Sequence, residues 1–250
     1  MRLGLVVGTG VDAIPFAGEP LDIETPYGDV AISFGRHASL DVFLLPRHGT
    51  PARPAHRIDH RANVDALARC KVDRVIALHS VGALDPAIPT PSLLVPDDWL
   101  DLRADKPSFF DDAAVHVDVS EPFCPETRQA LLAAAPDARN GGAYAATEGP
   151  RLETRAEVRA LRSLGGAVVG MTAAPEAALA RERGLCYASL CLVTNPAAGV
   201  AVEAPSAERI RAVAREMAPR AVAAALDAAS RLAGREKGCA CGRALEAARL

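Results

Sequence analysis

Residues 148–195 read EGPRLETRAEVRALRSLGGAVVGMTAAPEAALARERGLCYASLCLVTN. This stretch contains two helical patterns, at 155–164 and 175–183, and an apolar strand pattern follows each of them, at 167–169 and 186–193. Strands that alternate with helices are typical of a largely parallel sheet that is covered by helices. The stretch therefore predicts an α/β fold.

The same alternation extends over the rest of the chain. Its Pro-rich segment 85–97 and its acidic segment 101–112 are typical of surface loops rather than domain boundaries. We expect one domain over residues 1–250, with a central, mixed, mostly parallel sheet flanked by helices and a peripheral tail from about residue 235. Further strands are predicted at 3–7, 30–34, 42–45, 75–78, 115–117 and 142–146, and further helices at 61–70, 126–135 and 206–232, the last with Ser206 as N-cap.

Composition limits the classes of partner. Half of the 250 residues are hydrophobic but only 4% are aromatic, so the core is expected to consist mainly of Ala, Val and Leu. A net charge of −3 without a long basic run argues against nucleic acid and acidic membranes as partners. The apolar N-terminal run is too short for a signal peptide, and no apolar stretch reaches the roughly 18 residues of a membrane span. We expect a cytoplasmic protein.

Four of the six cysteines stand singly in apolar surroundings and are predicted to be small core residues. The other two, Cys239 and Cys241, are one residue apart. This spacing is tighter than that of an ordinary zinc half-site, and the sequence shows no matching second half. We therefore expect no metal site and an inert tail, with a reversible disulfide as the alternative. The four single cysteines are Cys70, Cys124, Cys186 and Cys191.

Polar side chains follow four of the predicted strands. Thr9 lies between Gly8 and Gly10, where backbone N–H groups can approach an anion, although this pattern alone also fits a tight turn. Arg47 and His48 emerge at the end of a strand, the edge where open α/β sheets place ligands. Together these donors predict a site for inorganic phosphate. Its candidate residues are Thr9, Arg47, His48, His79, Ser80 and Thr172.

A purine site is predicted beside the phosphate. The amide of Asn195, at the end of a long buried strand, offers a donor and an acceptor that match the O6/N7 edge of a 6-oxopurine. Glu153 offers an acceptor to N1–H of the same base; alternatively, it is an acidic residue that stabilises the start of a helix. Adenine lacks N1–H and carries an amino group at position 6, so it would prefer Asp at position 195.

With these residues the chain resembles the trimeric purine nucleoside phosphorylase and methylthioadenosine phosphorylase family. The resemblance runs from residue 8 to about residue 217 and implies the nucleoside phosphorylase fold, a homotrimer, and phosphorolysis of a nucleoside N-glycosidic bond. It also implies no metal and no cofactor, with inorganic phosphate as a co-substrate. The matching segments include GTG at 8–10, RHG at 47–49, RAN at 61–63, EPFCP at 121–125, EGPR at 148–151 and GMT at 170–172.

The resemblance also implies roles for individual residues. Asn195 and His48 would be catalytic, and Glu153 would hold N1 of the purine. His116 would reach the 5′ side of a ribose that is bound by a neighbouring subunit. Leu152 would cover the base where many members have Phe. The other expected nucleoside contacts are Met171, Pro196, Ala197, Ala207 and Ile210.

Two departures within the family predict the substrate. Methylthioadenosine phosphorylases typically have Ser and Asp where this chain has Glu153 and Asn195, the pair of the 6-oxopurine enzymes. Ala207 and Ile210 stand where ordinary purine nucleoside phosphorylases have a His that reaches the 5′-hydroxyl. Burying a methyl-sized group gains about 0.8 kcal/mol, whereas an unpaired buried hydroxyl costs about 1–3 kcal/mol.

These departures predict cleavage of S-methyl-5′-thioinosine to hypoxanthine and 5-methylthioribose 1-phosphate, in purine salvage. Three alternatives remain at this point. The first is phosphorolysis of inosine or guanosine, and the second is phosphorolysis of S-methyl-5′-thioadenosine. The third is a nucleoside-binding protein without catalytic activity.

Overall fold

The computed structural model describes residues 1–11, 18–246 and 248–249, which are built around three central strands. These strands are β1 (Arg2–Val7), β4 (Leu40–Pro46) and β5 (Arg74–Ala83), and β1 pairs in parallel with both others. Their side chains are apolar on both faces, which is the pattern of parallel strands that are covered by helices on either side.

The full sheet has eleven strands in the described part of the chain. An antiparallel meander extends it beyond β4, and a second branch leaves β5 on its other side. The remaining strands are β2 (Glu19–Ile23), β3 (Val30–His37), β6 (Ser92–Val95), β7 (Asp98–Asp101), β8 (Arg139–Asn140), β9 (Ala143–Ala146), β10 (Gly166–Gly170) and β11 (Cys186–Pro196). The order in the sheet is β2-β3-β4-β1-β5-β10-β9-β7, while β11 pairs with β5 and with β6, and β6 pairs with β8.

Helices cover both faces of the sheet. They are α1 (His60–Arg69), α2 (Pro125–Ala134), α3 (Arg155–Ser163), α4 (Ala173–Glu182) and α5 (Ala207–Leu232). Leu3 and Leu5 of β1 share one core with α2 and α5, whereas Val6 shares a second core with α1 and α4. This division follows from the two-residue period of the strand, which sends successive side chains to opposite faces.

The predicted α/β fold with a mixed, mostly parallel sheet is confirmed. Ser206 is the N-cap of α5, as predicted, and its side chain accepts a hydrogen bond from the backbone of Arg209. The predicted strand at 115–117 is wrong, because only an isolated bridge between Val115 and Arg249 forms there. The segment 85–97, predicted as a loop, contains β6. The apolar run of this strand is short and lies between prolines, so the sequence pattern did not indicate it.

Cys124 and Cys186 are buried, as predicted, but they do not stand singly in the fold. Their Sγ atoms and those of Cys239 and Cys241 all lie within 4.8 Å of one another. The sequence could not show this, because Cys124 precedes α2 and Cys186 begins β11, and only the fold brings both to the tail. Cys241 is buried, so this part of the tail belongs to the core rather than to the periphery.

None of the helices in the described ranges combines the length and the apolar composition that a membrane span requires.

Candidate active site

Most of the predicted site residues line one open cavity where several strands of the sheet end. The loops after β1, β4 and β10 and the ends of β5 and β11 all contribute to it. The predicted residues in its wall are Thr9, Arg47, His48, His79, Ser80, Leu152, Glu153, Met171, Thr172, Asn195, Ala197 and Ile210.

Three predicted nucleoside contacts lie outside this cavity. Pro196 lines an adjacent cavity that shares Asn195 and Ile210 with the first. Ala207 is exposed at the start of α5. His116 is exposed as well, and its role in the site of a neighbouring subunit stays a prediction.

The cavity also contains residues that sequence reasoning missed. Thr194 and Gly170 are neighbours of predicted residues, so the motifs that contain them could have indicated their positions. Ala55 comes from a loop without any such signal. The missed residues are Ala55, Val81, Gly82, Val169, Gly170, Thr194, Ala198 and Pro205.

A β-bulge near the end of β11 sets the direction of the Asn195 side chain. Val193 pairs with Val81, but the next pair joins Asn195 to Gly82, so Thr194 is the extra residue. Bulges of this kind change which face a side chain points to, and they are frequent beside active sites. The bulge therefore places Asn195 in the wall of the cavity.

Local hydrogen bonds fix the rotation of the Asn195 amide. Its oxygen accepts from the hydroxyl of Thr194 at 2.9 Å, and its nitrogen donates to the carbonyl of Pro196 at 2.8 Å. An amide has two donor hydrogens and two acceptor lone pairs, so each end keeps one position for a ligand. The side chain is thus oriented before a base arrives.

Glu153 is the only carboxylate among the described residues of the cavity wall. The N-terminus of α3 does not use it: Thr154 is the N-cap, and Glu157 completes a capping box with it. Instead, one oxygen of Glu153 accepts a hydrogen bond of 2.7 Å from Thr147. This arrangement favours the interpretation as a ligand-binding carboxylate over the interpretation as a helix-stabilising one.

A buried ion pair lies beneath the predicted phosphate site. Arg47 donates from Nε and Nη2 to the two oxygens of Glu176 and from Nη1 to the carbonyl of Leu78 at 2.9 Å. Tyr187 donates to Glu176 at 2.8 Å. Burial alone would raise the pKa of Glu176, but Arg47 and His79 lower it below its usual value. The bidentate face of Arg47 is therefore directed at Glu176 and not at a phosphate.

His79 belongs to this buried network. Its Nε2 accepts from Arg47 at 2.9 Å, because a guanidinium can only donate, and its Nδ1 then donates to Ser189 at 2.9 Å. Burial and the charge of Arg47 lower the pKa of His79 to about 4, so the ring is neutral near pH 7. With both ring nitrogens engaged by protein, the geometry favours a structural role over the predicted contact with phosphate.

Gly8 lets the guanidinium of Arg47 pack against the loop after β1, next to His48. A β-carbon at Gly8 would lie 2.4 Å from Nη1 of Arg47 and 3.8 Å from Nε2 of His48. Nδ1 of His48 bonds to the carbonyl of Arg53 at 2.8 Å and must donate to it, which leaves Nε2 of the neutral ring as an acceptor. Burial is the main cause that lowers the pKa of His48.

The hydroxyl groups of Thr9, Ser80 and Thr172 belong to the predicted phosphate site. Ser80 donates its hydroxyl proton to the backbone oxygen of Thr9 at 3.2 Å, which holds the loop after β1 against the end of β5. Thr172 is the N-cap of α4, and its hydroxyl makes no capping bond within the described part of the chain. A helix N-terminus favours a bound anion, so α4 adds its dipole to these donors.

The rest of the cavity wall is largely apolar. Met171 lies against Gly149, where a β-carbon would come within 2.5 Å of the sulfur and where φ is 70°. Only glycine fits this position without strain. Ile210, from the first turn of α5, and Leu152, which is 42% exposed, line the cavity without offering a hydrogen bond.

Comparisons with known proteins agree with this geometry. A family model described as "Phosphorylase superfamily" matches residues 2–230. The chain is 40% identical to a protein of Methanopyrus kandleri named probable S-methyl-5′-thioinosine phosphorylase, over 99% of this chain and 98% of that one. It is 42% identical to the 6-oxopurine nucleoside phosphorylase of Pyrococcus furiosus, over 80% and 81% of the two chains. A solved methylthioadenosine phosphorylase from an Antarctic soil metagenomic library is 29% identical, with a TM-score of 0.87 over 99% of this chain and 92% of that one.

The close packing at Gly8 can be tested by adding a methyl group. Gly8→Ala should raise the KM for phosphate by about tenfold or more, the equivalent of about 1.4 kcal/mol, because the methyl group would displace the Arg47 guanidinium and disturb the predicted phosphate site. Steady-state kinetics at fixed nucleoside concentration measure this. Gly242→Ala is the matched control, since nothing lies within 4 Å of its β-carbon position. An unchanged KM for phosphate in Gly8→Ala would contradict the assignment.

Proposed function

Since the chain belongs to the phosphorylase superfamily, we propose that it cleaves the 6-oxopurine nucleoside S-methyl-5′-thioinosine with inorganic phosphate. The products are hypoxanthine and 5-methylthioribose 1-phosphate, which serve purine salvage. The observation that carries the proposal is the presence of Glu153 and Asn195 in one cavity with the phosphate donors. The names of the two curated relatives also agree on a 6-oxopurine nucleoside or its methylthio form as the substrate class.

The two polar side chains explain the choice of base. Glu153 accepts the N1–H that inosine derivatives have and adenosine derivatives lack. Asn195 donates from its amide nitrogen and accepts at its oxygen, which suits O6 and a protonated N7. A site with matched partners rejects the wrong base strongly, because a mispaired base leaves buried polar groups unsatisfied.

The reaction transfers the sugar from the purine to phosphate. A phosphate oxygen attacks C1′ while the bond from C1′ to N9 breaks, and its electron pair leaves with the purine. Hydrogen phosphate loses one proton in forming the sugar phosphate, and the released purine gains one, so the step is balanced. His48 accepts the phosphate proton at Nε2, and Asn195 stabilises the departing base. Preorganised groups of this kind supply most of the electrostatic stabilisation of the transition state.

The apolar wall explains the preference at the 5′ position. Ile210 and Pro205 line the cavity near Asn195 and offer no partner to a hydroxyl. A methylthio group loses nothing there and gains from burial, whereas a hydroxyl would lose its hydrogen bonds to water. Inosine and guanosine are the second candidate substrates, because the Pyrococcus furiosus relative is named a 6-oxopurine nucleoside phosphorylase.

The assembly and the location are further parts of the proposal. A homotrimer would bring His116, which is exposed in the single chain, to the ribose site of a neighbour. A cytoplasmic location suits an enzyme of nucleoside salvage. The chemical step is proposed to need no metal and no cofactor.

Product analysis tests the reaction type. The protein is incubated with S-methyl-5′-thioinosine, with and without phosphate, and both hypoxanthine and the sugar product are measured. We expect hypoxanthine and 5-methylthioribose 1-phosphate in equal amounts, and only with phosphate. Release of hypoxanthine without phosphate would indicate a hydrolase, and binding without turnover would indicate a nucleoside-binding protein.

Asn195→Asp tests whether Asn195 selects 6-oxopurines over 6-aminopurines. A carboxylate cannot donate to O6, so kcat/KM for methylthioinosine should fall about 10- to 100-fold, equivalent to about 1.5–3 kcal/mol, while that for methylthioadenosine should rise. The ratio of the two kcat/KM values is the measurement. Asn140→Asp, at an exposed position, is the control and should leave the ratio unchanged. A ratio that Asn195→Asp does not change would remove Asn195 as the residue that reads the base.

A further inference from the structure

Four cysteines converge at the end of the sheet opposite the cavity. Cys124 precedes α2, Cys186 is the first residue of β11, and Cys239 and Cys241 belong to the tail. Their Sγ atoms all lie within 4.8 Å of one another. Asn195 is at the other end of β11, about 30 Å away at about 3.3 Å per strand residue. The cluster is therefore separate from the proposed active site.

The spacing of the sulfur atoms suits a shared metal ion. Sγ of Cys186 and Sγ of Cys239 are 3.4 Å apart. Four thiolates around a tetrahedral zinc ion, with Zn–S bonds of about 2.3 Å, lie about 3.8 Å from one another. The observed separations, from 3.4 Å to at most 4.8 Å, bracket this value. All four sulfur atoms are near one another, which two independent disulfides would not require.

Burial makes the cluster a closed site. Cys124 and Cys186 are 1% exposed, Cys241 is 3% exposed, and Cys239 is partly buried. A structural zinc site has four protein ligands and no open position, in contrast to a catalytic one. Tetrahedral sulfur ligands select zinc or iron among the common metals, and zinc needs no redox partner.

The surrounding groups hold the ligands in place. Arg74 lies 3.6 Å from Sγ of Cys124 and donates to Glu126 at 2.5 Å. The second oxygen of Glu126 accepts from the backbone of Gly238 at 2.6 Å, directly before Cys239. Metal sites commonly depend on such outer partners, which orient the ligands and balance their charge.

The four thiols lie close enough to share one cation. A divalent cation would allow all four to lose their protons, because metal binding releases protons from its ligands.

We propose that Cys124, Cys186, Cys239 and Cys241 bind one structural zinc ion. The ion would join the tail to the N-terminus of α2 and to the start of β11. The one-residue spacing of the tail pair is unusual for zinc, but the other two ligands come from distant parts of the chain. Only the fold reveals this ligand set.

The tail that the ion would fasten contacts a further segment. The backbone N–H of His116 donates to the carbonyl of Ala248 at 2.7 Å, and Val115 forms a bridge with Arg249. Zinc would thus hold the segment that carries His116 in addition to closing the core. Loss of the ion should lower the melting temperature and loosen this segment.

Metal analysis of the intact protein tests the site. The full chain is purified under reducing conditions, incubated with zinc and freed of excess, and its metal content and reactive thiols are measured. We expect one zinc ion per chain and no rapidly reacting thiol, because Cys70 and Cys191 outside the site are buried as well. Removal of zinc by a chelator should make the thiols of the cluster reactive and lower Tm, and added zinc should reverse both changes.

Variants make the assignment specific. The double variant Cys239→Ser/Cys241→Ser should lose the zinc, whereas Cys70→Ala, a buried cysteine outside the cluster, should keep one ion per chain. Wild-type protein that binds no zinc, or that is filled with iron instead, would overturn the proposal. A second outcome would also overturn the proposal. In protein purified without reductant, the intact mass would show disulfides among the four cysteines, and the reduced protein would still bind no zinc.

Discussion

The buried pair of Arg47 and Glu176 is the constraint on which the site depends. It joins the end of β4 to the first turn of α4, and both side chains are at most 3% exposed. Removing two charges from water costs several kcal/mol, and only good geometry with further hydrogen bonds offsets this. His79 and Tyr187 supply those bonds from β5 and β11. One helix and three strand regions are thereby held in one arrangement.

This pair also limits the part that Arg47 can take in the proposed binding of phosphate. Glu176 occupies the bidentate face of the guanidinium, so the proposed phosphate site depends more on the hydroxyl group of Thr172 and on the N-terminus of α4. Ser80 already donates its hydroxyl proton to the backbone oxygen of Thr9, and its part in the proposed site is therefore to hold the loop after β1 in place.

The sequence predicted the alternation of helices and strands and most of the cavity wall, because strand ends and turn motifs are local signals. It could not predict that His79 would contact Glu176 instead of the predicted phosphate site. This contact depends on the face of β5 from which His79 extends and on the position of Glu176 in the fold. Sequence reasoning also missed the bulge at Thr194 and the convergence of the cysteines. Both depend on contacts between residues that are far apart in the chain.

The proposed function requires one cavity to combine recognition of a 6-oxopurine with an apolar 5′ pocket. It is tested most directly by comparing kcat/KM for methylthioinosine, inosine and methylthioadenosine at one saturating phosphate concentration. We expect methylthioinosine to have the highest kcat/KM of the three. The kcat/KM for inosine should be about 5- to 150-fold lower, because an unpaired hydroxyl costs about 1–3 kcal/mol. A higher kcat/KM for inosine or methylthioadenosine would rule out this proposed function.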